Sequence, residues 1–587
     1  MGNKFKLFLL SGALSILSTV NVFGEEIDIQ ILATSDLHGK FYPYDYAINE
    51  ESKSGSVAQI ATAVKKYRNE NTIVVDAGDT IQDNYAELFF KDKIHPMVLG
   101  MNEIGYDVWA IGNHEFNFGV DNLRNIMKQF KAKPLIGNLY NQDGSKFADS
   151  YTIMEKNGVK IGIIGMCTPN ITKWDSVNLK DYIVTDPVEE TKKIVKELRG
   201  KVDILMVVTH MGEENEYGVP NSGVNDLAKA CPEVDLIVAA HEHKLVEKAY
   251  VNDVLIVENK NSAVSMAKVN IILEKDGDKY KIVDRKAESI KIADYEPDKE
   301  VSKKLEPYHQ RALKEANIII GELKGGNLAP KNEIEGIPQA QIQPTALIDF
   351  INEVQTYYTG ADVSAAALFN VDANLEPGKI KKSDTALIYK YGNTLYKLEM
   401  TGKQLKQFME WSASYYNTYK PGDLTISFNE NIRGFNYDMF SGVDYQIDIS
   451  KEPGNRIKNL KWSKTGKEVK DTDKFVVAVN NYRVNTHLLS YGEIYKEGEE
   501  LPKVLEIDVK GNLGGVRELV GDYIKNVKGG KIQPSNPTNW EIIGNNWDKA
   551  KHEEVVKLVK EGKIVIPKSK DGRTPNVKSI TENDLKK

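Results

Sequence analysis

The feature that most constrains this sequence is a set of five apolar runs, each followed by Asp, Asn or His and usually by Gly. Short apolar runs of this kind predict buried strands of an α/β sheet. Five of the nine histidines of the chain follow these runs. Because the carboxyl ends of parallel strands meet at one edge of a sheet, we expect the polar side chains to lie close together. The runs are Ile29–Ser35, Thr72–Val75, Val108–Ile111, Ile204–Thr209 and Leu236–Ala240.

The polar residues after these runs form a donor set of imidazoles, carboxylates and one amide. This mixture suits divalent Mn, Zn, Co or Fe. Any one of the residues alone would more often be a core or capping group, so the metal interpretation depends on their joint, ordered occurrence. The set exceeds one tetrahedral ion and fits two divalent metal ions bridged by a carboxylate. Its members are Asp36, His38, Asp79, Asn113, His210, His241 and His243.

In this order, the motifs resemble those of the calcineurin-like metallophosphoesterases, and the resemblance covers about residues 26 to 290. It implies that one metal ion is held by Asp36, His38, Asp79 and His243. It implies that the second is held by Asp79, Asn113, His210 and His241. Asp79 would be the bridge, because a carboxylate offers two anionic oxygens.

The same resemblance assigns the chemistry to His114. As a neighbour of the ligand Asn113, it would stabilise the transition state and protonate the leaving oxygen. In many relatives an Asp at the position of Asn117 orients this histidine, whereas the amide here can only hydrogen-bond. We expect Glu115 and Glu242 to support their neighbouring histidines without binding metal, and Asp76 to be structural.

Three segments of the later chain resemble the C-terminal domain of the 5'-nucleotidase family, in the branch of bifunctional 2',3'-cyclic-nucleotide 2'-phosphodiesterase/3'-nucleotidases. They begin at Tyr391, Phe435 and Asn480. Asn117 agrees with that branch. The resemblance implies that Tyr391 and Tyr482 sandwich the nucleobase, with Asn393 in the same substrate-binding segment. From the residues alone, a tyrosine after a strand is more often a packing residue.

We therefore predict an α/β fold, a layered metallophosphoesterase sandwich joined to a second α/β nucleotide-binding domain. The first domain covers residues 25–290 and the second residues 321–530, with a C-terminal extension at 531–587. Residues 291–320 form a connecting helix or an edge helix of the second domain. Ala386–Tyr389 is predicted as a strand, and the extension is expected to pack at its start and fray at its end.

The first 24 residues are predicted to be a cleaved signal peptide. Lys4 and Lys6 precede an apolar stretch at 7–20, and small residues follow at 22–24. An uncleaved anchor is the alternative. The mature protein is then expected to be periplasmic or secreted, with no attachment to a membrane. Cys167 and Cys231 are expected to be buried thiols, with one disulfide as the alternative.

Composition narrows the class of partner. The chain of 587 residues is 41% hydrophobic and 27% charged, as in a soluble globular protein, and its net charge of -7 argues against a broad basic face for a nucleic acid polymer. The expected substrates are small-molecule nucleotides, 2',3'-cyclic and 3'-nucleotides, hydrolysed to nucleosides. The alternatives are a 5'-nucleotidase or nucleotide-sugar hydrolase, distinguished by a comparison of 5'-AMP with 3'-AMP, and a non-catalytic nucleoside- or metal-binding protein, distinguished by turnover.

Overall fold

The fold is described from a computed structural model that covers residues 26–277, 279–511, 513–570, 572 and 574–586. The predicted signal peptide lies outside these residues. In the described part of the chain, no helix is long and apolar enough to cross a membrane. Cys167 and Cys231 are both buried thiols that are not joined in a disulfide, as the sequence predicts.

Two six-stranded sheets form the centre of the first domain. The strands of the first sheet are, from edge to edge, Lys279–Lys291, Ser265–Asp276, Glu26–Thr34, Thr72–Asp76, Val108–Ala110 and Lys133–Leu135. Those of the second sheet are Val246–Val251, Val254–Glu258, Leu236–Ala239, Ile204–His210, Val159–Cys167 and Tyr151–Lys156. The central strands of both sheets run parallel, and every strand predicted to carry a ligand is among them.

The two sheets pack face to face through one apolar layer. It is built from alternate residues of the parallel strands, for example Ile31, Val75, Val208 and Val238, all fully buried. Helices cover the outer faces, which explains why the strands are apolar on both sides. These helices are Val57–Tyr67, Pro96–Ile104, Val120–Met127, Ile171–Trp174, Pro187–Leu198, Val224–Ala230 and Lys299–Ala316.

The helix Lys299–Ala316 is the predicted connecting helix. Asp298 caps its start by accepting hydrogen bonds from the main-chain N–H groups of Glu300 and Val301. Its apolar stripe packs into the core of the first domain rather than lying at the edge of the second. The helix is therefore part of the first domain.

The second domain is also α/β. Its five-stranded sheet contains, in order, Asp438–Ser441, Val363–Ala367, Lys474–Asn480, Leu395–Thr401 and Lys503–Glu506. A three-stranded sheet contains Gly378–Lys381, Ile319–Leu323 and Lys531–Ile532, and a four-stranded sheet contains Lys467–Glu468, Ile457–Trp462, Val443–Asp448 and Trp540–Ile543. The helices are Ala346–Thr359, Asp384–Ile388, Gly402–Ala413, Asn481–Arg483, Val516–Asp522 and Lys549–Lys560. The predicted layered α/β architecture is confirmed.

Two local predictions in this domain are wrong. Ala386–Ile388 lies in the helix Asp384–Ile388, which packs against Val516–Asp522, rather than in a strand. An apolar run of four residues is too short for periodicity to separate helix from strand. The end of the chain does not fray as expected: Asn576 and Ile580 are buried, and their main chains pair with Phe428 and Leu424.

Candidate metal centre

The loops that carry the predicted ligands have a strained backbone. Left-handed φ angles occur at Asp36 (51°), His38 (45°), Asp79 (55°), His241 (82°) and His243 (58°). Residues with a Cβ seldom adopt left-handed φ angles, because the conformation costs free energy. They keep it only where the surrounding structure holds the backbone in place. Strain concentrated in these loops indicates that the positions of these side chains matter for function.

A buried carboxylate fixes the loop of Asp79. Glu115 accepts hydrogen bonds from the main-chain N–H groups of Asp79 (2.9 Å), Thr80 (2.6 Å) and Gly112 (2.8 Å). We expected Glu115 to support the neighbouring histidine, and this is wrong. The carboxylate oxygens of Glu115 accept hydrogen bonds from main-chain N–H groups. Glu242 likewise accepts from the main-chain N–H of Glu213 at 3.0 Å, and it pairs with Lys244 at 2.8 Å.

Asp76 is structural, as predicted. Its carboxyl accepts hydrogen bonds from the hydroxyls of Thr34 (2.6 Å) and Thr80 (2.7 Å) and from the N–H of Gly78 (3.1 Å). Burial raises the pKa of this carboxyl to about 7 and outweighs the three hydrogen bonds, which favour the ionised form. The group therefore ties the first strand to the Gly78–Asp79 turn.

The first candidate metal group consists of Asp36, His38 and His243, whose ligand atoms lie within 4.8 Å of one another. Nε2 of His38 lies 3.0 Å from Nε2 of His243, and the latter lies 3.4 Å from Oδ1 of Asp36. Burial, reinforced by the nearby His243, lowers the pKa of His38 to about 4. The ring is therefore neutral, as a metal ligand requires.

The second candidate group consists of Asp79, His210 and His241, again within 4.8 Å. Nε2 of His210 lies 3.0 Å from Oδ2 of Asp79 and 3.9 Å from Oδ1 of Asp36. The two groups therefore adjoin at His210, whose Nε2 lies near one carboxylate of each group.

The donor atoms fit divalent cations. Nδ1 of His210 donates to the carbonyl of Ala77 at 2.8 Å, so Nε2 is the nitrogen that faces the carboxylates. Burial opposes the protonated ring, but the carboxylate of Asp79 outweighs it and raises the pKa of His210 to about 10. Among the described residues, neither Nε2 of His210 nor the buried Oδ1 of Asn113 has an aligned hydrogen-bond partner. Burial alone would raise the pKa values of Asp36 and Asp79, but the surrounding imidazoles reverse this and lower both. The carboxylates therefore stay ionised in a buried site, where such charge needs cations.

His114 and Asn117 lie beside this centre. Nε2 of His114 is 3.9 Å from Oδ2 of Asp79, and its main-chain N–H donates to Oδ1 of the same residue at 2.9 Å. Loss of hydration opposes the protonated ring, but the Asp79 carboxylate outweighs it and raises the pKa of His114. Nδ1 faces Oδ1 of Asn117 at 2.6 Å, so the predicted orienting contact is present.

The second domain places its predicted segments together. The main chains of Thr394 and Asn481 are joined by a hydrogen bond of 2.9 Å, so the segments of Tyr391 and Tyr482 adjoin. Arg483 anchors the base of this region through Asp438 (2.5 Å) and the carbonyl of Phe435 (2.7 Å). Asn393 is half-buried, and its carbonyl accepts from the N–H of Val516 at 2.8 Å.

This region lies against the metal centre of the first domain. The turn Val484–Leu488, which follows Tyr482, packs on the helix Ile171–Trp174. Within that helix, the ring of Trp174 lies 5.2 Å from the ring of His241. One site can therefore be formed by residues of both domains.

Several residues near the site were missed from the sequence. The amide of Gln82 lies 2.8 Å from Nδ1 of His38, Glu216 lies 3.2 Å from Nε2 of His241, and Asp175 contacts Asn117 at 2.8 Å. The rings of Phe369 and Phe435 contact those of Tyr391 and Tyr482 edge to face, at 5.3 and 6.2 Å. Gln82 adjoins a recognised motif and Phe435 begins one, although its contact with Tyr482 was not predicted. Asp175 and Glu216 lie in short segments without a sequence pattern.

Comparisons with known proteins agree with this architecture. The family described as calcineurin-like phosphoesterase matches residues 29–245, and the family described as 5'-nucleotidase, C-terminal domain, matches residues 320–488. The chain therefore belongs to the calcineurin-like phosphoesterases that carry a 5'-nucleotidase C-terminal domain, and it is a metallophosphoesterase. Enzymes of the calcineurin-like family depend on two metal ions.

Curated relatives cover almost the whole chain. It is 27% identical over 622 residues to the 2',3'-cyclic-nucleotide 2'-phosphodiesterase/3'-nucleotidase of Salmonella typhimurium, covering 92% of each protein. It is 28% identical over 601 residues to a protein of the same name from Haemophilus influenzae, covering 88% of each. A trifunctional nucleotide phosphoesterase protein of Bacillus subtilis is 29% identical over 612 residues, 90% of this chain but 40% of that relative, so the chain spans less than half of its length.

Solved structures share the fold. A Staphylococcus aureus protein described as a candidate 5'-nucleotidase superposes with a TM-score of 0.74 at 19% identity, covering 88% of this chain and all of that one (100%). A 5'-nucleotidase precursor from Thermus thermophilus gives a TM-score of 0.58 at 20% identity, over 89% and 100% of the two chains.

Proposed function

We propose that this protein is an exported dimetal phosphohydrolase that opens 2',3'-cyclic nucleotides at the 2' bond and then dephosphorylates the 3'-nucleotide to a nucleoside. The observation that carries the proposal is the contact between the Tyr482 region and the helix beside His241, which joins an aromatic region to the metal centre. The names of the relatives from Salmonella typhimurium and Haemophilus influenzae support this choice of substrate.

Two cations, of Mn, Zn, Co or Fe, would be held by the two candidate groups. Asp36, His38 and His243 would hold one, and Asp79, His210 and His241 would hold the other. The family resemblance adds Asn113 to the second group and Asp79 to the first. When bound, the cations would supply Lewis acidity, which promotes ionisation of the attacking water and offsets the charge of the phosphate oxygens. The protein fixes the donors through the strained loops and the Glu115 hydrogen bonds.

His114 would supply the proton for the leaving ribose oxygen. Its Nδ1 is engaged by Asn117, so only Nε2 is available to the substrate. The side chain is 40% exposed, so a nucleotide can reach it. The neighbouring Asp79 favours the protonated ring, which is the form that donates to an alkoxide as the ester bond breaks.

The nucleobase would stack between Tyr391 and Tyr482. Tyr391 is 39% exposed, and its ring contacts that of Phe369 in an edge-to-face arrangement at 5.3 Å. Stacking uses the flat face that every base possesses, so preference among bases should be broad. One base site next to one metal centre serves both steps if the nucleotide shifts slightly between them. Export is inferred from residues 1–24 of the sequence.

The base contact is tested with Tyr391→Ala and Tyr482→Ala combined. We expect the KM for 2',3'-cyclic AMP and 3'-AMP to rise about tenfold or more, because stacking contributes about 1–3 kcal/mol per base. Hydrolysis of bis-p-nitrophenyl phosphate should change little. Tyr357→Ala, at another exposed tyrosine of the domain (55%), is the matched control. Equal damage to both classes of substrate would contradict the base contact, and faster wild-type hydrolysis of 5'-AMP than of 3'-AMP would contradict the proposed substrate.

A further inference from the structure

A three-residue chain of hydrogen bonds leads away from His114. Nδ1 of His114 lies 2.6 Å from Oδ1 of Asn117, and Nδ2 of Asn117 lies 2.8 Å from Oδ2 of Asp175. Asn117 is exposed, whereas Asp175 is buried, with 6% of its surface exposed. The chain therefore begins at the metal centre and ends at an acid under the surface.

The second carboxylate oxygen of Asp175 is also held. Nδ2 of Asn178 donates to Oδ1 at 3.2 Å, and the same amide donates to the carbonyl of Phe116 at 3.0 Å. Asn117 and Asn178 thus both donate to the Asp175 carboxylate through their side-chain amides. Burial raises the pKa of this carboxyl to about 6, so around neutral pH it is mainly ionised and accepts hydrogen bonds only.

The polarity of these bonds has one consistent solution. An ionised Asp175 accepts from the NH₂ group of Asn117, which turns the amide oxygen of Asn117 toward His114. An amide oxygen accepts, so Nδ1 of the neutral ring must carry the hydrogen. Without Asp175, the amide could rotate by half a turn and present its NH₂ group to Nδ1, which would select the opposite tautomer.

We propose that Asp175 is a positioning residue: it fixes the orientation of the Asn117 amide and thereby the tautomer and ring direction of His114. Nε2 then remains the nitrogen that faces the substrate. The inference rests on the proposed role of His114 as proton donor, and it adds a residue that acts only through Asn117. Since Asp175 adjoins the helix Ile171–Trp174 that contacts the second domain, the chain of hydrogen bonds also lies where the domains meet.

The test is a double-mutant cycle at the two ends of the amide–carboxylate bond. Asp175→Asn removes the obligate acceptor, and Asn117→Asp places two carboxylates where the structure has 2.8 Å between the side chains. Asn117→Asp combined with Asp175→Asn swaps the partners, because the introduced carboxylate would accept both from Nδ1 of His114 and from the introduced amide. Asp181→Asn, an exposed acid in the same loop, is the matched control.

With 3'-AMP, each single variant should lower kcat about tenfold or more with little change in KM, because correct proton donation typically contributes about 10²–10⁴-fold. The double variant should recover most of the loss, and Asp181→Asn should behave as wild type. Losses that simply add in the double variant would indicate independent structural damage and would overturn the proposal. Equal melting temperatures and metal contents across the set establish that the variants fold.

A second readout does not depend on turnover. In metal-free protein labelled with ¹⁵N-histidine and held at alkaline pH, His114 should carry its hydrogen on Nδ1. In Asp175→Asn the hydrogen should shift toward Nε2, and in the double variant it should return. An unchanged tautomer in Asp175→Asn would overturn the proposal. A wild-type enzyme that hydrolyses 5'-AMP but not 3'-AMP would refute the proposed substrate alone, and the same cycle would then be measured with 5'-AMP.

Discussion

Gly112 shows how closely the loops of the metal centre approach one another. A Cβ at this position would lie 2.3 Å from Oδ1 of Asp79 and 2.8 Å from Oε2 of Glu115. Both are atoms that the site needs in place, one as a predicted ligand and the other as the acceptor that fixes the loop. A glycine is therefore required here because there is no room for a Cβ, and not because of its own backbone conformation.

Gly112→Ala should displace Asp79 and weaken metal binding. Overpacking of a rigid site typically costs about 1–3 kcal/mol, so we expect clearly reduced metal occupancy and a large loss of phosphodiesterase activity. Metal content by mass spectrometry and the rate with added Mn measure this. Gly200→Ala is the control, because among the described residues no atom lies within 4 Å of a Cβ there. Full occupancy and a normal rate in Gly112→Ala would contradict the account.

Among the elements, the helix Pro96–Ile104 begins at a histidine that does not serve the metal centre. His95 is fully buried, its Nε2 donates to the carbonyl of Ala86 at 2.9 Å, and its ring stacks on Phe90. Burial lowers its pKa from 6.5 to about 3. The folded protein therefore holds this ring neutral at pH values where the unfolded chain would protonate it.

The stabilising effect of His95 should be complete above pH 6.5 and decline as the pH falls toward 3, because the unfolded state then binds the extra proton. At pH 5 the loss amounts to about 2 kcal/mol. His95→Gln keeps a donor and cannot titrate, so its melting temperature should fall less than that of wild type between pH 7.5 and 5. Parallel decreases in the two proteins would show that His95 is protonated in the fold or remains neutral in both states.

The sequence predicts the elements of the centre better than the connections around it. Buried parallel strands can be predicted because they are apolar runs. The residues that follow them can be predicted as a site because the topology of a parallel sheet brings them to one edge. Asp175 and the targets of Glu115 were not predictable, since they depend on how loops from distant parts of the chain meet. The helix Asp384–Ile388 was missed because its apolar run is too short to show helical periodicity. The burial of the chain end at Asn576 was missed because main-chain pairing leaves no periodic pattern in the sequence.

For the molecule as a whole, Arg517 links the two domains. Its guanidinium lies 3.3 Å from Glu87 of the first domain and donates to the carbonyl of Lys390 at 3.5 Å, directly before Tyr391. Both ionic side chains are partly buried, with 17% and 24% exposed. The contact therefore ties the segment of Tyr391 to the first domain.

Arg517→Met should raise the KM for nucleotides several-fold and leave bis-p-nitrophenyl phosphate hydrolysis unchanged, because Glu87 loses its partner and Tyr391 its anchor. Adding Glu87→Gln should recover part of the loss by removing the unpaired carboxylate. Lys528→Met, which removes the ion pair with Glu353 inside the second domain, is the control. Equal damage to both substrates in Arg517→Met would contradict a role in joining the domains.

The most direct test of the proposed activity is a product time course with 2',3'-cyclic AMP and Mn, resolved by chromatography. We expect 3'-AMP to appear first and to decline as adenosine and phosphate accumulate. No turnover of the cyclic nucleotide together with rapid hydrolysis of 5'-AMP would contradict the proposed activity and would identify the enzyme as a 5'-nucleotidase.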